Sequence, residues 1–137
     1  MTRMPSIVRE VALLVGRLTI GAIFIVHGWT KLFSTGMDAT VSMFTAVGVP
    51  LPELAAWFAA FAELLGGLAL VLGVALPLAA ILVSVVTLGA LIFVHAKNGF
   101  FVQTGGFEFV LALTAATLAL GFNGGSYALS QVIGRNK

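Results

Sequence analysis

Residues 11–33 form an apolar run long enough to cross a bilayer, yet Arg17, His27 and Lys31 interrupt it. A hydrocarbon core about 30 Å thick needs about 20 helical residues. Ionisable groups at that depth are expensive, so they face a protein interior or a wet cavity rather than acyl chains. Any fold this chain adopts must therefore give these three side chains something to meet.

The rest of the sequence points to lipid as the solvent. Of 137 residues, 60% are hydrophobic and 9% charged, whereas a soluble domain carries about a quarter charged residues. That leaves too few charges to solvate a globular surface, and the length suits a single integral membrane domain over residues 1–137. The net charge of +2 is too small to suggest nucleic acid as a partner. There is no cysteine, which excludes disulfides, thiolate metal sites and cysteine nucleophiles. The basic start MTRMPSIVRE resembles the head of a signal peptide. The apolar run that follows exceeds the ~7–15 residues of a signal core and is not followed by a small-x-small site, so it is expected to stay as a first span.

Four segments have about the right length for spans: residues 11–33, 53–75, 77–97 and 107–122. The expected fold is all-α, a four-transmembrane-helix antiparallel bundle. Arg3, Arg9, Arg135 and Lys137 fall on one face and Lys31 and Lys97 on the other, which favours both termini in the cytoplasm. The turn at Gly73 to Pro77 is too short for anything but a hairpin, and Pro77 suits a first helical turn. In the first outer connection, Val41, Phe44 and Val47 recur every three residues. This predicts a short interfacial or re-entrant helix, ended by Gly48, Pro50 and Pro52. Asn123-Gly124-Gly125-Ser126 breaks the fourth span, and the tail 127–137 is expected at the interface.

Thr19 to His27 reads TIGAIFIVH, and Thr87 to His95 reads TLGALIFVH. Five of nine positions are identical at an offset of about half the chain. This is either chance among apolar residues or a parallel duplication of helical hairpins, as in transporter-like folds. A duplication would set His27 and His95 at matching depths.

At ~1.5 Å rise per residue, His27 lies ~6 Å and Arg17 ~21 Å below Lys31, while Glu63 lies ~15 Å below Glu53. Two intramembrane charges so placed predict an Arg17–Glu63 pair, or else a protonated Glu63. Small residues at Ala56, Ala59, Ala60 and Gly67 put Glu63 on the packed face of its helix, with Phe58, Leu65 and Leu72 outward. A second polar group gathers at the outer end: His27, Lys31, His95, Lys97 and Glu108. These are candidates for a ligand pocket with Trp29, Phe100 and Phe101 as aromatic walls. Each also has a plain structural reading, the lysines as snorkelling anchors and Glu108 as a helix cap. No metal-binding spacing occurs, and no catalytic set can be assigned.

Several of these residues also carry a resemblance. Arg17, the stretch Gly28-Trp29-Thr30-Lys31-Leu32, and Gly48-Val49-Pro50 are joined by Glu63-Leu64-Leu65-Gly66-Gly67 and Leu72-Gly73. Gly99-Phe100-Phe101, Gly105-Gly106 with Glu108, and Gly124-Gly125-Ser126 complete a series that resembles the DoxX family of small four-helix bacterial membrane proteins. The resemblance implies a multi-pass protein of the bacterial cytoplasmic membrane, associated with quinone-linked or thiol and oxidative-stress redox complexes.

Three functions follow as expectations. The first is a membrane subunit linked to the quinone pool, with no covalently bound cofactor, a quinone as ligand, and a soluble oxidoreductase or thiol enzyme as partner. The second is a non-catalytic anchor or assembly factor for a soluble enzyme. The third is a small-molecule carrier, which four helices would support best as a homo-oligomer.

Overall fold

A computed structural model describes residues 5–134, and every regular element among them is helical. The chain runs through α1 (Ser6–Trp29), α2 (Met37–Ala46), α3 (Pro52–Leu72), α4 (Leu76–Ala90), α5 (Glu108–Asn123) and α6 (Leu129–Gly134). A π turn at Thr30–Ser34 extends α1, and another at Leu91–His95 extends α4. With those extensions, three helices are long and apolar enough to cross a membrane: Ser6–Ser34, Pro52–Leu72 and Leu76–Asn98. The fourth apolar helix, α5, is shorter at 16 residues, about 24 Å. Arg3, Arg135 and Lys137, three of the four charges behind the expected orientation of the termini, lie outside the described residues.

Helix α1 packs on α3, α3 on α4, and α4 on α5, while α5 returns to touch α1. Packing in lipid depends on close backbone approach at small residues, and α1 against α3 shows how. A Cβ added at Gly21 would stand 2.7 Å from Gly67 O, and one added at Gly67 would stand 2.7 Å from Gly21 O. At Gly28 it would meet the backbone of Ala60 and Leu64. The packed face of α3 is the small-residue stripe expected from the sequence: Ala56, Ala59, Ala60, Glu63 and Gly67 are buried, while Phe58, Leu65 and Leu72 are exposed. Large apolar side chains such as Val26, Leu78, Ile81, Ile92 and Phe122 cover the exterior. In water that surface would aggregate; against acyl chains it needs no partner.

The connection from α3 to α4 takes three residues. Gly73 and Ala75 both adopt left-handed backbone, and Pro77 sits in the first turn of α4. At the other end, α2 lies across the mouth between α1 and α3, where the spacing of Val41, Phe44 and Val47 predicts a short helix.

Candidate functional site

The helix ends next to α2 do not close on one another. Helices α1, α3, α4 and α5, with α2 across their ends, border a cavity of about 430 Å³. Phe24, Met43, Phe44, Phe58, Phe93 and Phe109 are among its apolar walls. His27, Lys31, Glu63, Thr87 and His95 supply its polar side chains. A smaller space of about 320 Å³, between α1 and α2, shares His27, Lys31 and Met43 with it and is lined by Thr30, Thr35 and Thr40.

Lys31 Nζ donates to Glu63 Oε2 at 2.6 Å, and both side chains are largely withdrawn from the surface. This corrects the expected Arg17–Glu63 pair. The Gly21–Gly67 and Gly28–Leu64 approaches fix the register of the antiparallel helices. In that register Glu63 stands beside the His27–Lys31 turn, and Arg17 stands beside the end of α3. Counting Glu63 down from Glu53 and Arg17 down from Lys31 brings the two together only if both helices start level. In fact α3 begins about two turns beyond Lys31, so Glu63 lies higher than its count suggests.

Arg17 is buried to 1% exposure, and among the described residues its Nε and Nη1 find no hydrogen-bond partner. It packs where Gly73 and Ala128 meet, so tightly that a Cβ on Gly73 would collide with Nη1. The last carbonyls of a helix lack intrahelical partners, and the negative end of the helix dipole lies there. The C-terminus of α3 thus offers the guanidinium a favourable field, and no described carboxylate pairs with it.

The two histidines have matching anchors. His27 Nδ1 is 2.8 Å from Ile23 O, and His95 Nδ1 is 2.8 Å from Gly105 O. A carbonyl only accepts, so each Nδ1 carries the proton, and Nε2 is the ring nitrogen left for a ligand. The loop after α4 builds the His95 anchor. Gly106 N donates to Phe101 O, Phe107 N to Gly99 O, and Glu108 N to Phe100 O. Glu108 Oε2 accepts from Val102 N at 2.9 Å. Glu108 therefore closes the loop rather than lining the cavity. Phe100 and Phe101 stack edge-on and exposed, and Trp29 packs on Phe33 at the exterior. None of Glu108, Trp29, Phe100 and Phe101 is among the cavity-lining residues, whereas His27, Lys31 and His95 are.

Thr87 is a polar wall residue that carries no charge and so does not stand out in the sequence as the ionisable groups do. Its hydroxyl has two partners within reach, Ser84 O at 3.1 Å and Thr114 Oγ1 at 2.6 Å, while Thr114 Oγ1 lies 2.7 Å from Val110 O. Its place in the TLGALIFVH stretch was the available signal. The echo is only partly mirrored in space: His27 and His95 reach the same cavity, but Thr19 is exposed while Thr87 is buried. Among the described residues no three His, Cys, Asp or Glu side chains gather as metal ligands.

Comparison with known proteins matches residues 12–96 to the model of the family described as DoxX. The chain is 35% identical over 111 residues to the Bacillus subtilis (strain 168) protein named "Putative oxidoreductase CatD", covering 81% of this chain and 79% of that one. It is 36% identical over 87 residues to the Escherichia coli (strain K12) protein named "Inner membrane protein YphA", covering 64% of this chain and 61% of that one. No solved structure matches the chain.

Proposed function

The chain belongs to the DoxX family, and on that footing we propose that it is a small membrane subunit that presents a quinone-type ligand to a redox complex. In this reading four helices span a bacterial plasma membrane with both termini cytoplasmic, and α2 lies at the outer interface. The observation that carries the proposal is the cavity. It is an apolar chamber with a few convergent polar groups, the usual form of a small-molecule site. Its Lys31–Glu63 pair is retained at a depth where charged groups are costly.

The residues present fit such a ligand. A quinone has a flat apolar ring and two polar oxygens. Phe24, Phe93 and Phe109 suit the ring, and Lys31 has ammonium protons beyond the one held by Glu63. The relative named an oxidoreductase agrees with a redox setting. The chain has no cysteine, so a thiol that exchanges electrons with the ligand has to come from a partner protein, a soluble oxidoreductase or thiol enzyme.

The test is equilibrium binding of a short-tailed benzoquinone to the purified protein in detergent. Saturable binding that weakens about tenfold in Lys31→Met is expected, the loss of the donor to a quinone oxygen. Equal affinity in this variant and the parent protein would leave the cavity without this ligand, and the anchor reading would stand in its place.

A further inference from the structure

The hydrogen-bond polarity of the cavity distinguishes between the two forms of such a ligand. We infer that the site recognises an aromatic diol, the hydroquinone form, in preference to the quinone, and that His27 and His95 are the residues that make this selection. The inference rests on the quinone-type reading above and narrows it.

The argument is an inventory of donors and acceptors. Each Nδ1–H is spent on a backbone carbonyl, of Ile23 for His27 and of Gly105 for His95. A neutral ring held that way offers a lone pair at Nε2 and no proton. Glu63 adds a carboxylate oxygen beyond the one bonded to Lys31. The Thr87 proton has Ser84 O and Thr114 Oγ1 as acceptors within the helices, which leaves the Thr87 oxygen to face the cavity as an acceptor. Among the described lining residues, Lys31 is the one side chain with protons to spare. The walls therefore present more acceptors than donors.

A quinone oxygen only accepts. It satisfies Lys31, but placed against an imidazole lone pair it is repelled, and a buried acceptor without a donor is unfavourable. A phenolic hydroxyl both accepts and donates. His27 and Lys31 are four residues apart on one helical face. One hydroxyl can accept a hydrogen bond from Lys31 Nζ while donating one to His27 Nε2. The second hydroxyl, across the ring, then has His95 Nε2 as its acceptor. Sites built to bond a particular hydroxyl reject analogues that lack it far more strongly than apolar pockets reject an extra methylene.

The test uses three probes on the full chain in detergent, without oxygen and at pH 8. They are a short-tailed benzoquinone, its hydroquinone, and the dimethyl ether of that hydroquinone. The ether keeps the ring and both oxygens but has no proton to donate. The hydroquinone is expected to bind about tenfold tighter than either of the others. In the His27→Phe/His95→Phe double variant the three affinities are expected to converge. A quinone that binds as tightly as the hydroquinone overturns the inference and leaves the proposed function standing. So does a hydroquinone preference that survives the double substitution. Failure of all three probes to bind overturns the proposed function itself. If the double variant does not fold, the hydroquinone-to-ether ratio in the parent protein decides the matter alone.

Discussion

Lys31 and Glu63 close an ion pair of 2.6 Å across the α1–α3 contact, at the wall of the 430 Å³ cavity. Removing one member of such a pair strands the other charge, which costs about 3–5 kcal/mol when both are fully buried. Lys31 keeps some exposure, so about 3 kcal/mol is expected for Lys31→Met or Glu63→Leu. The Lys31→Met/Glu63→Leu double variant should lose less than the sum of the two. Thermal unfolding in detergent, read as a double-mutant cycle, checks this; strict additivity would mean the pair is not coupled.

The α1–α3 crossing depends on glycine. A methyl at Gly67 would press on Gly21 O and Ile25 N, which are backbone and cannot swing aside. Gly67→Ala should destabilise by about 1–3 kcal/mol, the usual cost of overpacking. The denaturation midpoint of the variant measures it.

Gly73 combines two constraints, a left-handed φ of +76° and contact with Arg17 and Ala128. Gly73→Ala should therefore cost more than the 1–2 kcal/mol that left-handed backbone alone imposes on a side chain. The effect should shrink when combined with Arg17→Ala, because one of the two clashes is then gone. Unfolding of the two single variants and the double variant reads the coupling.

Gly89 is the opposite case. It lines the cavity, and a Cβ there meets nothing within 4 Å. Gly89→Leu should keep or raise stability, since glycine inside a helix costs about 0.5–1 kcal/mol relative to alanine. The same variant should reduce ligand capacity by filling the chamber. A variant that is stable and still binds the benzoquinone fully would separate the cavity from the ligand.

Much of this arrangement was legible in the chain. Alanine and glycine at helical spacing from Ala56 to Gly67 gave the buried face of α3, and the period of three at Val41, Phe44 and Val47 gave α2. The clustering of His27, Lys31 and His95 was also readable, because ionisable groups in an apolar chain have few places to go. The partner of Glu63 was not readable. Counting residues gives depth along one helix, but the offset between two helices is set by where glycines allow contact, here Gly21 on Gly67. The roles of Glu108, Phe100 and Phe101 escaped for a similar reason. Local bonds from Gly99 to Glu108 fold the loop on itself, and no periodic pattern announces them. The tautomers of His27 and His95, on which the proposed ligand preference turns, depend on carbonyls that only the folded chain places.

The cavity as a ligand site is tested most directly by photolabelling with an azido-benzoquinone, followed by mapping of the modified residues. The account predicts adducts on chamber walls such as Met43, Phe93 and Phe109, suppressed by excess unlabelled benzoquinone. Adducts spread over the outward residues Leu65, Ile81 and Ile92, and unaffected by competitor, would contradict it.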